Sequence, residues 1–281
     1  MLELKGELLK NLRDFRENDL KKIHQVDLKI LAEILKLCYQ YNIRCFLIGG
    51  SALGAIRHKG FIPWDDDIDL GFTRNDYQVF LEHAPLDLKN SCFYFENEKF
   101  DPGFEFPYSK IIQKGTFIVE RLRETAKAYN GIFVDLFPFD RLPKRRADQI
   151  WQKNLLKKLT REINRRIYPE KLSNDLSVPE FFKIPITELY KKRENVMKKF
   201  NYEKDGTFVD LSSPYNYGQE TISPDEMKKM IKVPFENYEA FIVKDYDDYL
   251  TRLYGSYMKL PPFNKQKPKH ILKLSINNNV V

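Results

Sequence analysis

The stretch from Leu47 to Gly71, LIGGSALGAIRHKGFIPWDDDIDLG, restricts the fold more than any other part of the chain. The apolar, β-branched run before Gly49 reads as a buried strand that ends in a tight turn at Gly49-Gly50. Ser51 then stands at a good N-cap position for a short helix, ALGAIRHK, and Gly60 with Pro63 forces a loop before a second strand, DIDLGF. Strand, helix and strand in such close succession exclude a helical bundle and call for an α/β arrangement. The residue types also carry chemistry. Free N–H groups at a helix start can hold phosphate oxygens, and glycines let them come close. Asp67 and Asp69, one residue apart on a strand, project from one face and can share a divalent ion.

Other elements follow from periodicity. From Leu20 to Tyr41, Ile23, Val26, Leu28, Ile30, Leu31, Ile34, Leu35 and Cys38 recur at mostly three- and four-residue steps, which predicts an amphipathic helix closed by Asn42. Residues Tyr77 to Leu81 read as helix and CFYFEN as extended. SKIIQKGTFIVE suggests two strands, or a strand and return across Lys114-Gly115. GIFVDLFPFD alternates, with Phe133, Asp135 and Phe137 on one face and Ile132, Val134 and Leu136 on the other, and Pro138 is expected to stop it. Two charged helices, Lys144 to Arg166 and Ile186 to Phe200, follow across a Pro- and Ser-containing connection near Pro169 to Pro185. A further helix is predicted around Asp245 to Tyr254. No internal repeat or clean linker is seen, so one continuous domain over 1–281 is expected, with a catalytic core at 20–140, a basic helical insertion at 141–204 and a C-terminal part at 205–281 completing the site.

Composition narrows the classes. With 42% hydrophobic residues, 21 Phe and 16 Tyr, the chain is too rich in packing material to be disordered. Cys38, Cys45 and Cys92 are odd in number and two of them lie beside or within apolar helix and strand patterns, which favours reduced buried thiols in a cytoplasmic protein over a disulfide framework. No zinc-type spacing, signal peptide or 18-residue apolar run is found, so neither structural zinc nor a transmembrane helix is expected. The net charge of +7 is local: Arg141 to Lys171 holds eleven Lys or Arg against three Asp or Glu. With Leu155, Leu156, Leu159, Ile163 and Ile167 on one face, this region can dock near anionic lipids or a phosphate-rich glycan, or pack as a solvated helix.

Asp65 and Asp66 add to Asp67 and Asp69, and such a cluster repels itself unless solvated or neutralised. Asp65 is expected to be functional and Asp66 solvated. Asp135 would complete a three-carboxylate metal site with Asp67 and Asp69 if its strand lies beside theirs, an arrangement suited to phosphoryl or nucleotidyl transfer. Arg57 follows the glycine turn on the same helix and can contact phosphate. Lys110 can approach phosphate or stand at the surface. Trp64 can brace the acidic loop, and Tyr215 and Tyr217 can line an acceptor groove.

The run GGSALGAIRHKGFIPWDDDIDLG, the later GIFVDLFPFD, and YLTRLYGSYMKLPP with His270 beyond it resemble the LicD family of phosphotransferases, over almost the whole chain. The resemblance implies a nucleotidyltransferase-like mixed β-sheet flanked by helices. It also implies transfer of an alcohol phosphate, such as phosphocholine or a polyol phosphate, from a CDP-linked donor to a sugar hydroxyl of a surface polysaccharide, teichoic acid or lipid-linked glycan, with release of CMP. Carried over, Gly49, Gly50 and Ser51 form the phosphate-cradling turn, and Arg57 and His58 follow on its helix. Asp67 and Asp69 are the metal pair, Asp65 belongs to the same acidic motif, and Asp135 is the later acidic strand position. His270 lies where it could contact donor phosphate. Magnesium is the expected ion, with manganese an alternative, and the expected place is the cytoplasm, peripheral at the inner face of the membrane. Alternatives are nucleotidyl transfer from an NTP and non-catalytic binding of an anionic polymer; nucleic acid is disfavoured by the acidic cluster.

Overall fold

In chain order, the computed structural model runs β1 (Arg13–Asp14), α1 (Leu20–Gln40), β2 (Cys45–Leu47), α2 (Gly49–His58), β3 (Ile68–Thr73), α3 (Arg74–Asp87), β4 (Phe93–Glu96), β5 (Ser109–Gln113), β6 (Thr116–Glu120) and β7 (Phe133–Arg141). It continues through α4 (Arg146–Ile167), α5 (Ile186–Lys198), β8 (Phe208–Asp210), β9 (Thr221–Ile222), α6 (Pro224–Lys228), β10 (Met230–Phe235), β11 (Tyr238–Val243), α7 (Tyr246–Tyr254) and β12 (Ile271–Ile276). The structure describes residues 8–121, 123–125, 128–169, 181, 183–277 and 280. Most of the connection expected from Pro169 to Pro185 lies outside them.

A mixed sheet of order β2-β3-β7-β5-β4 is extended by β8 and β9 beside β7. β3 and β7 run parallel and the other pairs antiparallel. Helix α1 turns Ile23, Val26, Ile30, Leu31 and Ile34 into the core and packs on β5 and β7. Helix α3 starts cleanly because the Thr73 hydroxyl accepts from the Asp76 N–H. The mixed sheet flanked by helices agrees with the expected fold class.

Two local expectations are corrected. β7 does not stop at Pro138. Its pairing with β5 ends at Leu136 and that with β8 begins at Phe139, so the proline falls in the gap between two neighbours, where a missing donor is tolerated. β5 and β6 are two strands, but they do not form a hairpin: β6 belongs to a separate sheet of order β1-β12-β6.

The basic helical region is also clearer. The α4 side chains Leu156, Leu159, Ile163 and Ile167 are buried in a second apolar cluster with Leu189, Tyr190, Val196 and Met197 of α5. The apolar face is therefore consumed by packing, and α4 shows solvent mainly its charges. The region is tied to the sheet by Asn201, whose Nδ2 donates at 2.7 Å to Asp140 of β7, the buried carboxylate that also holds Arg74 of α3 at 2.8 and 2.5 Å.

Candidate active site

The helix after β2 begins three residues earlier than its sequence suggests, at Gly49, with extended Ile48 before it. Gly49 adopts φ +51°, a conformation that costs glycine little. A Cβ on it would stand 3.4 Å from Asp69 Oδ2, and one on Gly50 only 2.7 Å from Asp65 Oδ2. The bare first turn thus lets two carboxylates lie against a helix N-terminus. Ser51 is not the N-cap: it is buried, and its Oγ accepts from the Asp69 N–H at 2.8 Å, fixing the start of β3 to α2. The Gly49 N–H donates to Tyr249 Oη at 3.0 Å, and that hydroxyl donates to Glu220 at 2.5 Å.

Strand register brings the remaining groups together. Asp69 pairs across from Asp135, Asp135 from Lys110, and Lys110 from Glu96, so one polar row crosses β3, β7, β5 and β4 on one face. The strand adjacency needed for Asp135 to face the Asp67 and Asp69 region is therefore present. Lys110 is almost fully buried, 3.5 Å from Asp135 Oδ1 and 3.4 Å from Glu120 Oε1. Asp65, Asp67, Asp69, Asp135, Lys110 and Gly50 all line one cleft of about 1400 Å³, as do Phe133 and Phe137, the predicted face-mates of Asp135.

The cleft is short of positive charge at its acidic end. Burial, reinforced by the Asp67 and Asp66 charges, pushes Asp65 up to about 8. Burial also pushes Asp135 up to about 7, with Lys110 opposing the shift. Asp69 is raised well above the usual carboxyl range by burial and by Asp67 and Asp135. Behind them Asp27 of α1, fully buried and with no hydrogen-bond partner for either oxygen among the described residues, is raised by burial and by the charges on Asp67, Asp66 and Asp135. Carboxylates that oppose one another's ionisation, with Asp135 Oδ1 met by Lys110 only at 3.5 Å, are the donor set a hard divalent cation suits. Among the described residues, Asp66, Asp67 and His270 offer three possible ligand atoms that all lie within 4.8 Å of one another.

These shifts fix a sign for stability. Asp65 and Asp135 titrate higher in the folded chain than the ordinary carboxyl value, about 4. The folded state therefore holds more protons than the unfolded one between about pH 4 and pH 8, and metal-free stability falls as pH rises through that window. Thermal melting without metal should drop from pH 5 to pH 8, and magnesium should raise it more at pH 8, where the carboxylates are free to bind. A metal-free melting temperature that climbs over this range would contradict the electrostatics described.

Other predicted residues divide. Arg57 lines the cleft, and its guanidinium donates to the Tyr257 carbonyl at 2.7 Å. His58 is outside the lining, accepting from Arg57 Nε at 2.9 Å and packing edge-on to Trp64. His270 lines the cleft but is held by acids: its Nδ1 lies 2.8 Å from Asp66 and 3.2 Å from Asp67, contacts that raise it to about 12. Asp66, expected in solvent, is buried because its other oxygen accepts from the N–H groups of His270 and Ile271, tying the acidic loop to β12. Trp64 and Tyr215 line the cleft. Tyr217 does not, donating instead to Gln152 of α4 at 2.6 Å.

The inner wall contains residues that no sequence motif marks. Arg123 bonds Glu105 at 2.7 and 3.2 Å, Glu120 closely, and Asn130 at 3.1 Å, all of them buried. Tyr168 Oη adds a bond to Glu105 at 2.7 Å.

Gly50→Ala tests the first turn. Its Cβ would meet the far end of the Asp65 side chain rather than backbone, so the fold can yield by moving that carboxylate. Stability should change by only about 1 kcal/mol, while transfer falls about 100-fold because a misplacement near 1 Å costs that much. Comparison of melting with turnover decides it: equal losses in both would remove the special role of this contact.

Comparison with known proteins follows the same lines. Residues 42–181 match the family model described as LicD/FKTN/FKRP, nucleotidyltransferase domain. The lipopolysaccharide cholinephosphotransferase LicD of Haemophilus influenzae is 30% identical over 266 residues, covering 90% of this chain and 96% of its own. The ribitol 5-phosphate transferase FKRP of Homo sapiens is 54% identical over 35 residues, 12% of this chain and 7% of its own.

Proposed function

The chain belongs to the LicD family, and on that premise we propose that it transfers an alcohol phosphate, phosphocholine in the first instance, from a CDP-linked donor to a sugar hydroxyl of a cell-surface glycan or teichoic-acid precursor, with release of CMP. The observation that carries this reading is that Asp67, Asp69 and Asp135 line one cleft, with Asp69 and Asp135 side by side on paired strands and Asp69 against the glycine start of α2. The relative similar over nearly its full length is named as a cholinephosphotransferase, which favours choline.

Asp67, Asp69 and Asp135 would hold magnesium or manganese. The ion, when bound, supplies charge neutralisation for the donor pyrophosphate and for the charge that develops on it. The start of α2 borders the same region through Gly50, and a helix N-terminus favours an anion. Arg57 and Lys269 line the cleft and add positive charge for the phosphates. In the reaction the acceptor oxygen bonds to the phosphorus next to the alcohol, the bond from that phosphorus to the CMP oxygen breaks, and CMP departs. The acceptor proton passes to a carboxylate, assigned here to Asp135, which lines the cleft beside Asp69. Lys110, 3.5 Å away, holds that carboxylate in place. Among the described residues no helix is long and apolar enough to cross a membrane. The proposed place of action is the cytoplasm, at the inner face of the membrane.

The decisive experiment incubates the protein and magnesium with a panel of CDP-alcohols and native acceptor extract, and identifies the transferred mass and the nucleotide released. CMP with an alcohol phosphate on the glycan is the expected outcome. Pyrophosphate release from an NTP would replace the proposal with nucleotidyl transfer, and polymer binding without turnover would remove catalysis.

A further inference from the structure

The mouth of the cleft is closed on one side by the segment from Gly255 to His270, GSYMKLPPFNKQKPKH, which contains four lysines and no acidic residue. Lys259, Leu260, Pro262 and Lys267 belong to the cleft lining. The same segment shows solvent an unusual set of apolar side chains: Phe263 is 85% exposed, Met258 60% and Leu260 51%. None of its lysines joins an ion pair among the described residues.

The exposure is built in by the local chain. Pro261, Pro262 and Pro268 stiffen the loop. Gln266 Nε2 donates back to the Pro261 carbonyl at 2.9 Å, and the Lys265 and Gln266 N–H groups close a turn onto Pro262 and Phe263. Both ends are anchored, by buried Tyr257, whose hydroxyl donates to Asp247 at 2.7 Å, and by His270 on Asp66. A braced turn that holds a phenyl ring out in water, next to exposed Lys265 and Lys267, must gain from a partner that takes up apolar surface and negative charge together.

We propose that this turn is a membrane-docking surface that inserts Phe263, Met258 and Leu260 at the headgroup boundary of an anionic bilayer while its lysines meet the lipid phosphates. A soluble polyanion would use the lysines but leave the three apolar side chains in water, so the bilayer accounts for both halves of the surface. Because the turn lines the cleft, docking would present the cleft mouth to the membrane, where a lipid-linked acceptor lies; that consequence rests on the proposed phosphotransfer, whereas the binding itself does not.

The test is co-sedimentation of the full chain with phosphatidylcholine vesicles, with and without phosphatidylglycerol, in the absence of nucleotide and metal. The chain should pellet with the anionic vesicles only. The Met258→Ser, Phe263→Ser double variant should bind them about tenfold more weakly, and Lys265→Glu with Lys267→Glu should abolish pelleting, both with melting temperatures at the parent value. Failure of the parent chain to pellet would overturn the proposal. So would a Met258→Ser, Phe263→Ser variant that pellets like the parent, with polyphosphate displacing both equally, which would mark a polyanion surface instead. No donor or turnover enters this assay, so an error in the transferase reading would leave its result unchanged.

Discussion

Asp69→Asn should reduce transfer by about 10³-fold or more while leaving the metal-free protein as stable as before, or more stable. Replacing the carboxylate by its amide keeps the shape of the side chain and removes one charge from a group of acids that oppose each other's ionisation. Relief of that repulsion acts in favour of the fold, since Asp69 faces Asp67, Asp135 and Asp65 together. The same change removes a ligand from the set proposed to hold the ion. Metal assistance in phosphoryl transfer amounts to several kcal/mol, and each 1.36 kcal/mol is a factor of ten in rate, so about a thousandfold is a lower bound. Asp67→Asn should behave alike, although Asp67 also lies 3.2 Å from His270 Nδ1. The signature is the opposite sign of the two measurements: turnover falls, metal-free melting holds or rises, and magnesium no longer shifts the melting temperature. Turnover within tenfold of the parent, with the magnesium shift intact, would remove Asp69 from the site.

That signature depends on a site whose parts were unevenly legible in the sequence. Periodicity reported faces well. The stripe of α1, the strand around Cys45–Leu47 and the alternation that turns Phe133, Asp135 and Phe137 into the cleft all match the structure. It could not report partners. SKIIQ and TFIVE are both strands, yet nothing in either says that they join different sheets. Asp66 reads as one more exposed acid, because the N–H groups of His270 and Ile271 that bury it arrive from the far end of the chain. Ser51 reads as an N-cap because its spacing fits, and it is used instead to hold the Asp69 amide. One signal is legible in the sequence: Asp27 interrupts the apolar stripe of α1 between Val26 and Ile30, and a charge on a buried face calls for an explanation. The Arg123 network gave no such signal, since its acids come from residues 105 and 120 and each looks like an ordinary surface charge until the chain folds.

For that reason Arg123 carries the largest stability effect expected in the molecule. Arg123→Ala should destabilise the fold by about 3–5 kcal/mol, the usual cost of removing one partner from a buried ionic cluster. The guanidinium is the common partner of Glu105 and Glu120, both buried, and it also donates to Asn130 Oδ1 at 3.1 Å. Without it Glu120 keeps, among the described residues, only Lys110 as a charge partner, at 3.4 Å, and that lysine is shared with Asp135. Lys110 would be drawn toward Glu120, so the loss should reach the site as well as the fold. Acid should correct the defect. Glu120 now titrates below the ordinary range, its burial outweighed by the charges of Lys110 and Arg123. Once Arg123 is gone, burial raises it, and protonation near pH 5 removes the unpaired charge. Urea unfolding at pH 5 and pH 8 should therefore show a smaller gap between variant and parent at the lower pH. Adding Glu105→Gln and Glu120→Gln to Arg123→Met should recover much of the stability at pH 8, because neutral groups of similar shape need no buried counter-charge. A deficit that is the same at both pH values, and unmoved by the glutamines, would mean that Arg123 supports the cleft through packing against Phe106, 4.8 Å from its guanidinium carbon, rather than through charge.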